Sequence, residues 1–192
     1  MPVGDCENAF MEAARSEGVE LARYKTPWLN QKGHFGLPDQ ALNVNGPLSD
    51  IFLSLGGQAI EQAAKRTTAL PGDFIHLTTG TIIEVDELQH FTSFRLKSFD
   101  YYPTGYPLDF ETTEYQQLCR RFAPKADKYR QTKTAVAFGP GGRQRQRAYY
   151  DALRDLAIPA MGHPPIIRVP APDGDGAAAF NRNRKRILLA VD

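Results

Sequence analysis

The sequence predicts an α/β or α+β protein: a mixed sheet, flanked by helices, with a β-hairpin that carries acidic residues. Three observations predict this. Amphipathic helical stretches precede the middle of the chain, two β-rich runs meet at Thr79-Gly80, and a long helical stretch near the end is followed by another short strand. That order of helix, hairpin, strand, helix and strand belongs to layered folds with helices on a sheet.

The 192 residues fit one domain, read as a lead-in helix and loop (1–50), a core (51–170) and a basic C-terminal arm (171–192). Such a length buries a core without staples. A content of 42% hydrophobic and 23% charged residues fits a soluble globular chain.

Residues 7–23, "ENAFMEAARSEGVELAR", have helical periodicity, with Gly18 weakening the end. Residues 25–50 are dense in Gly, Pro and Asn and predict loop and turn. Ser49 or Asp50 can cap a helix from Ile51 to about Arg66, with Phe52, Leu55, Ala59 and Ala63 on its apolar stripe. "LPGDFIHLTTGTIIEVDE" predicts the hairpin. An aromatic loop over 98–113 and a basic helix over 114–130 follow, and "TAVAF" predicts a strand that "GPGG" ends. "RQRQRAYYDALRDLAI" is a helix with Tyr149, Leu153 and Leu156 on one stripe, and "PPIIRVPAP" is the last strand. "NRNRKRILLAVD", with Arg182, Arg184, Lys185 and Arg186, reads either as a solvated arm or as one that touches a nucleic-acid backbone.

Cys6 and Cys119 are far apart and predict neither a disulfide framework nor a zinc site. The first ten residues lack the basic and apolar regions of a signal peptide, and the apolar runs are too short to span a bilayer. The expected location is the cytoplasm. Net charge is +1, but it is unevenly spread. Residues 119–154 hold ten Lys/Arg against two Asp, while residues 84–114 hold seven acids against Arg95 and Lys97. These are either solvated faces or the halves of a site that binds a polyanion through metal ions.

The hairpin gives the sharper signal. With the turn centred on Thr79-Gly80, Asp73 faces Asp86 and Ile75 faces Glu84, while His76 falls opposite Ile83 on the other, core-facing side. Side chains alternate along a strand, so Asp73, Glu84 and Asp86 share one face. Three neighbouring carboxylates repel one another, and a divalent cation is the usual compensation. The bland reading is the polar face of an edge hairpin.

Asp73, ten residues and then Glu84-Val85-Asp86 resembles the PD-(D/E)XK, or restriction-endonuclease-like, nuclease core. "GQAIE" (Gly57 to Glu61) is similar to the GxxxE of its RecB-type members, and "QRAYY" (Gln146 to Tyr150) to their QxxxY. "EVDELQHFTSFR" resembles a segment of very-short-patch-repair-like endonucleases. The resemblance spans roughly residues 51–169 and departs at one point, because the family's lysine two residues after the glutamate is Asp86 here. Lys65, Lys97 or Arg147 could take its place. On a helical wheel Glu61 lies nearly opposite the stripe of its helix, whereas Gln146 and Tyr150 flank theirs.

The resemblance implies a restriction-endonuclease-like core and a Mg²⁺- or Mn²⁺-dependent deoxyribonuclease. Asp73, Glu84 and the Val85 carbonyl would hold the ion. Asp86, His90 and Glu61 would complete the catalytic set, with His90 shuttling a proton. Arg95, Arg143, Arg145, Gln146, Arg147 and Tyr150 would contact nucleic acid, DNA rather than RNA. Arg95 could equally pair with Glu87, and Tyr101, Tyr102 and Tyr106 could stack on unpaired bases or pack on their own domain. Gln146 and Tyr150 are expected to approach the carboxylates, and Asp151 is not. The rivals are an inactive nuclease-like binding module and a metal-free small-molecule hydrolase; a cupin-like site lacks clustered histidines.

Overall fold

A computed structural model of the chain describes residues 4–191. Its helices are α1 (Asp5–Ser16), α2 (Asn45–Ser54), α3 (Ala59–Ala63), α4 (Ser93–Ser98), α5 (Thr112–Ala126), α6 (Arg143–Ala160) and α7 (Gly176–Val191). Strands β1 (Leu21–Asn30), β2 (Ala69–His76), β3 (Ile82–Glu87) and β4 (Ile167–Ala171) form one sheet in the order β1-β2-β3-β4. The first two pairings are antiparallel and β3–β4 is parallel. A parallel pair needs a long crossover, and the chain between β3 and β4 contains α4, α5 and α6.

Alternation along the strands sends side chains to two helical layers. Phe74, Ile83, Val85, Ile167 and Val169 meet Phe10 and Ala14 of α1 and Phe180 and Ile187 of α7. Each Val, Ile or Phe among them, fully buried, contributes about 1.5–3 kcal/mol. Gly176 lets α7 start directly against α1, since a Cβ there would strike the Cys6 carbonyl oxygen. On the opposite side, Tyr149, Leu153 and Leu156 of α6 pack with Leu48 and Phe52 of α2 and with Phe138. Phe91, Phe99, Tyr115 and Cys119 close a smaller cluster around α4 and α5. The α+β architecture is therefore a mixed sheet between helices.

Several expectations need correction. The first helix ends at Ser16, and Leu21–Asn30 is a strand rather than helix tail and loop. Charged residues on its exposed side and Pro27 disguise it; the proline falls where the β1–β2 register is irregular, between Thr26 and Asn30. The helix expected over 51–66 is two helices. Gly56 takes φ 74° after α2, and Gly57 lies so close to the Phe52 ring that no side chain fits. "TAVAF" is a turn with the single bridge Ala135–Gly139, not a strand. The expected C-terminal arm is α7, an amphipathic helix whose Arg184 pairs with Glu17 and whose Arg182 pairs with Asp173.

The hairpin pairs Phe74 with Ile83 and Ile75 with Ile82. That is two positions from the expected register, and an even shift preserves which residues share a face. His76 is buried, but its ring bonds Thr79 Oγ1 and it does not face Ile83. Among the described residues, no helix is long and apolar enough to cross a membrane.

Candidate active site

The β2–β3 ladder stops at Phe74–Ile83, so β2 diverges just where its carboxylate lies. Asp73 fills the gap: its Oδ2 accepts the Val85 N–H at 2.8 Å, while the Asp73 N–H approaches Glu84 Oε1 at 3.3 Å. Both side chains line a cleft of about 1000 Å³ between the sheet, α6, the end of α3 and the 127–142 loop. Asp73 Oδ1 and Glu84 Oε2 make no hydrogen bond or ion pair among the described residues. Burial and the adjacent Glu84 push the Asp73 carboxyl up to about 8, against the Val85 hydrogen bond and His90. Burial also raises Glu84 above the usual carboxylate range, although Arg154 and Arg168 oppose it. Two acids thus share a site where neither ionises easily.

His90 ends the turn after β3 and lines the same cleft. Its Nδ1 lies 2.9 Å from Asp151 Oδ2 and 3.2 Å from Asp86 Oδ1. Burial alone would lower its pKa, but the two carboxylates outweigh burial and raise it. With Nδ1 turned to the carboxylates, Nε2 is the nitrogen left for another partner. Asp151 is held well below the carboxylate range, because His90 and Arg168 outweigh its burial. It belongs to the carboxylate side of α6, so the expectation that it would stay away was wrong. An i,i+1 neighbour of Tyr150 can share a cleft that wraps a wide arc of the helix.

Behind His90 lies a network of buried charge. Arg168 of β4 donates to both oxygens of Asp86 at 2.8 and 3.0 Å and, through Nε, to Asp155 Oδ1 at 2.6 Å. Asp86 also accepts from the Tyr115 hydroxyl. Its carboxylate is therefore fully engaged and does not enter the cleft beside Glu84, a correction to its expected catalytic place. Arg95 is corrected too: it is fully buried and pairs with Asp155 at 2.5 Å, not with phosphate or Glu87. Tyr102 bonds Asp155 and Tyr106 bonds the Leu156 carbonyl, so these two aromatics pack on their own fold.

The cleft rim is basic. Lys65, Arg143, Arg147 and Arg154 line it together with Gln146 and Tyr150. Lys65 Nζ bonds Gln62 Oε1 at 2.7 Å and Tyr150 Oη at 3.2 Å, and burial together with Arg143 lowers it to about 8. Lys97 instead caps the Ser54 carbonyl outside the cleft. Arg145 binds the Phe138 and Pro140 carbonyls and pins a loop, so it is not a free rim cation. Glu61 is exposed on α3 and does not line the cleft. The side chain of Val85 packs in the core on the opposite face, leaving only its backbone near the carboxylates.

Asp73 and Glu84 offer two hard, anionic oxygens to a cation, and Mg²⁺ commonly uses one or two carboxylates with waters and phosphate oxygens. Among the described residues, no group of three or more His, Cys, Asp or Glu side chains forms a metal cage. The donor set fits a shared, open ion site and not a closed structural one.

Fold and cleft together define an α+β protein with an acidic floor and a basic rim. The chain belongs to the family described as "Family of unknown function (DUF7255)", whose model matches residues 50–189. That stretch contains Asp73, Glu84, His90 and all of α6. No curated protein and no solved structure matches the chain.

Sequence reasoning missed Asp151, Asp155 and Arg168. The signal for Arg168 was present: an arginine inside the apolar run "PPIIRVPAP" must find buried partners of opposite charge.

Proposed function

We propose that this protein is a metal-dependent phosphodiesterase acting on nucleic acid, DNA in preference to RNA, with a restriction-endonuclease-like core. The observation that carries the reading is the pair of free carboxylate oxygens, on Asp73 and Glu84, at the floor of a cleft rimmed by cations. Asp73 and Glu84 would hold Mg²⁺ or Mn²⁺. A bound ion of this kind polarises a scissile phosphate and acidifies a coordinated water.

The chain's own residues supply the rest. His90, oriented through Nδ1 and favoured in its charged form, presents Nε2 to give a proton to the departing oxygen. Lys65, seated beside Tyr150, stands in for the lysine that Asp86 replaces in the resembled motif. Arg143 and Arg147 attract the phosphate backbone without reading sequence, and Gln146 and Tyr150 help hold the strand. The convergence of Asp73, Glu84, Gln146 and Tyr150 on one cleft supports the reading more than any motif does alone.

A second reading, an inactive nucleic-acid-binding module, is favoured by one observation. The position two residues after Glu84 holds an aspartate tied to Arg168, not a lysine. The test is cleavage of plasmid and oligonucleotide DNA across Mg²⁺, Mn²⁺ and Ca²⁺, with EDTA controls. The proposal expects cutting in Mg²⁺ or Mn²⁺ that Glu84→Gln and Asp73→Asn abolish. Tight DNA binding without cutting in any metal would hand the protein to the second reading, and cutting that survives EDTA would contradict the metal.

A further inference from the structure

Cations alone are enough to grip the backbone of a duplex, whose bases are stacked inside. The cleft mouth carries something more. Tyr129 lines it with 38% of its surface exposed, and the guanidinium groups of Arg130 and Arg147 lie 5.2 and 5.9 Å from its ring centre. Val136 lines it too, at 59% exposure. Apolar and aromatic surface set among cations matches unpaired bases, which offer a π-face and an apolar edge next to each phosphate.

The backbone here is also unusual. Among the described residues, the non-glycine residues with positive φ are Arg130 at 52° and Ala137 at 74°. Both belong to the loop that presents Tyr129 and Val136. A hydrogen bond from the Gln58 N–H to the Ala137 carbonyl, at 2.8 Å, ties that loop to the start of α3. Strained backbone held in place by neighbouring elements is a mark of a surface shaped for a ligand.

We infer that the cleft takes single-stranded DNA, with bases stacking on Tyr129 and against Val136 while the phosphates follow the cations to Asp73 and Glu84. The inference rests on the nuclease reading for its use of the carboxylates, and it deepens that reading by naming the substrate class. Of the other tyrosines suited to stacking, Tyr102 and Tyr106 are occupied within the fold and Tyr101 does not line the cleft; Tyr129 combines exposure, a place in the cleft lining and the neighbouring Arg130 and Arg147.

The test uses the full chain carrying Glu84→Gln, or the unaltered chain in EDTA, so that nothing is cut. Fluorescence anisotropy compares a labelled mixed-sequence oligodeoxynucleotide with its blunt duplex and with the RNA of the same sequence. The single strand should bind at least about tenfold more tightly than the duplex and more tightly than the RNA. Tyr129→Ala should weaken single-strand binding roughly tenfold and leave duplex binding unchanged, whereas Tyr129→Phe should keep it. Equal or tighter duplex binding, an equal loss on both DNAs, tighter RNA binding, or no binding at all overturns the inference. The two readings fail separately. A duplex preference in a protein that cuts leaves the nuclease reading standing, while single-strand preference in a protein that never cuts leaves this inference standing.

Discussion

Asp73 and Glu84 sit where burial disfavours their ionised forms, and their pH behaviour follows. Both pKa values are raised in the folded chain, that of Asp73 to about 8. The folded state therefore binds more protons than the unfolded one above pH 4, and stability falls as pH rises from about 4 to about 8. Without divalent ions, thermal unfolding should show this loss, and millimolar Mn²⁺ should restore it at pH 8. Asp73→Asn should stabilise the metal-free chain at pH 8 by about 1–3 kcal/mol, since it removes one uncompensated buried acid. A pH-independent melting curve would contradict the pairing. Arg168 behaves in the opposite way. Replacing it with Leu takes the guanidinium from buried Asp86 and leaves Asp155 to Arg95 and Tyr102 alone; it should cost about 3–5 kcal/mol in urea denaturation, whereas a loss under 1 kcal/mol would show that the network is not held by this arginine. At this scale Asp73 and Glu84 were legible in the sequence because strand alternation needs only parity, and the two-position register shift left parity intact. Asp86 passed the same test and still differs in use, because its partner Arg168 arrives from a strand more than eighty residues away.

Elements were legible where their periodicity was local. The hairpin, α5, α6 and β4 follow from patterns contained within their own residues. β1 does not: its charges face outward, Pro27 interrupts it, and its pairing partner is β2, far along the chain. The break between α2 and α3 was written in Gly56-Gly57, but a glycine pair inside an apolar stripe shows its purpose only once the Phe52 ring is seen against it. Gly57→Ala should therefore overpack this corner and destabilise the fold by about 1–3 kcal/mol, as measured by urea denaturation. An unchanged midpoint would mean the ring moves aside freely. α7 was hidden by its arginines, which are long enough to reach solvent or carboxylates while Phe180 and Ile187 bury the opposite side.

Across the whole molecule, a net charge of +1 conceals a division of labour that the fold brings into one place. The acidic hairpin and the basic α6 come from separate runs of sequence, and the β3–α6–β4 crossover lays one over the other. Binding to DNA should accordingly weaken with salt, with a log–log slope of roughly −0.7 for each phosphate contacted on a single strand. A flat salt response would mean that the basic rim does not contact phosphate. Whether Asp73 and Glu84 share one cation is read most directly by anomalous diffraction from crystals grown or soaked with Mn²⁺. A single peak is expected within roughly 2.0–2.3 Å of an oxygen from each carboxylate, absent in Glu84→Gln crystals. A fully occupied manganese site elsewhere, with both carboxylates bare at millimolar Mn²⁺, would contradict it.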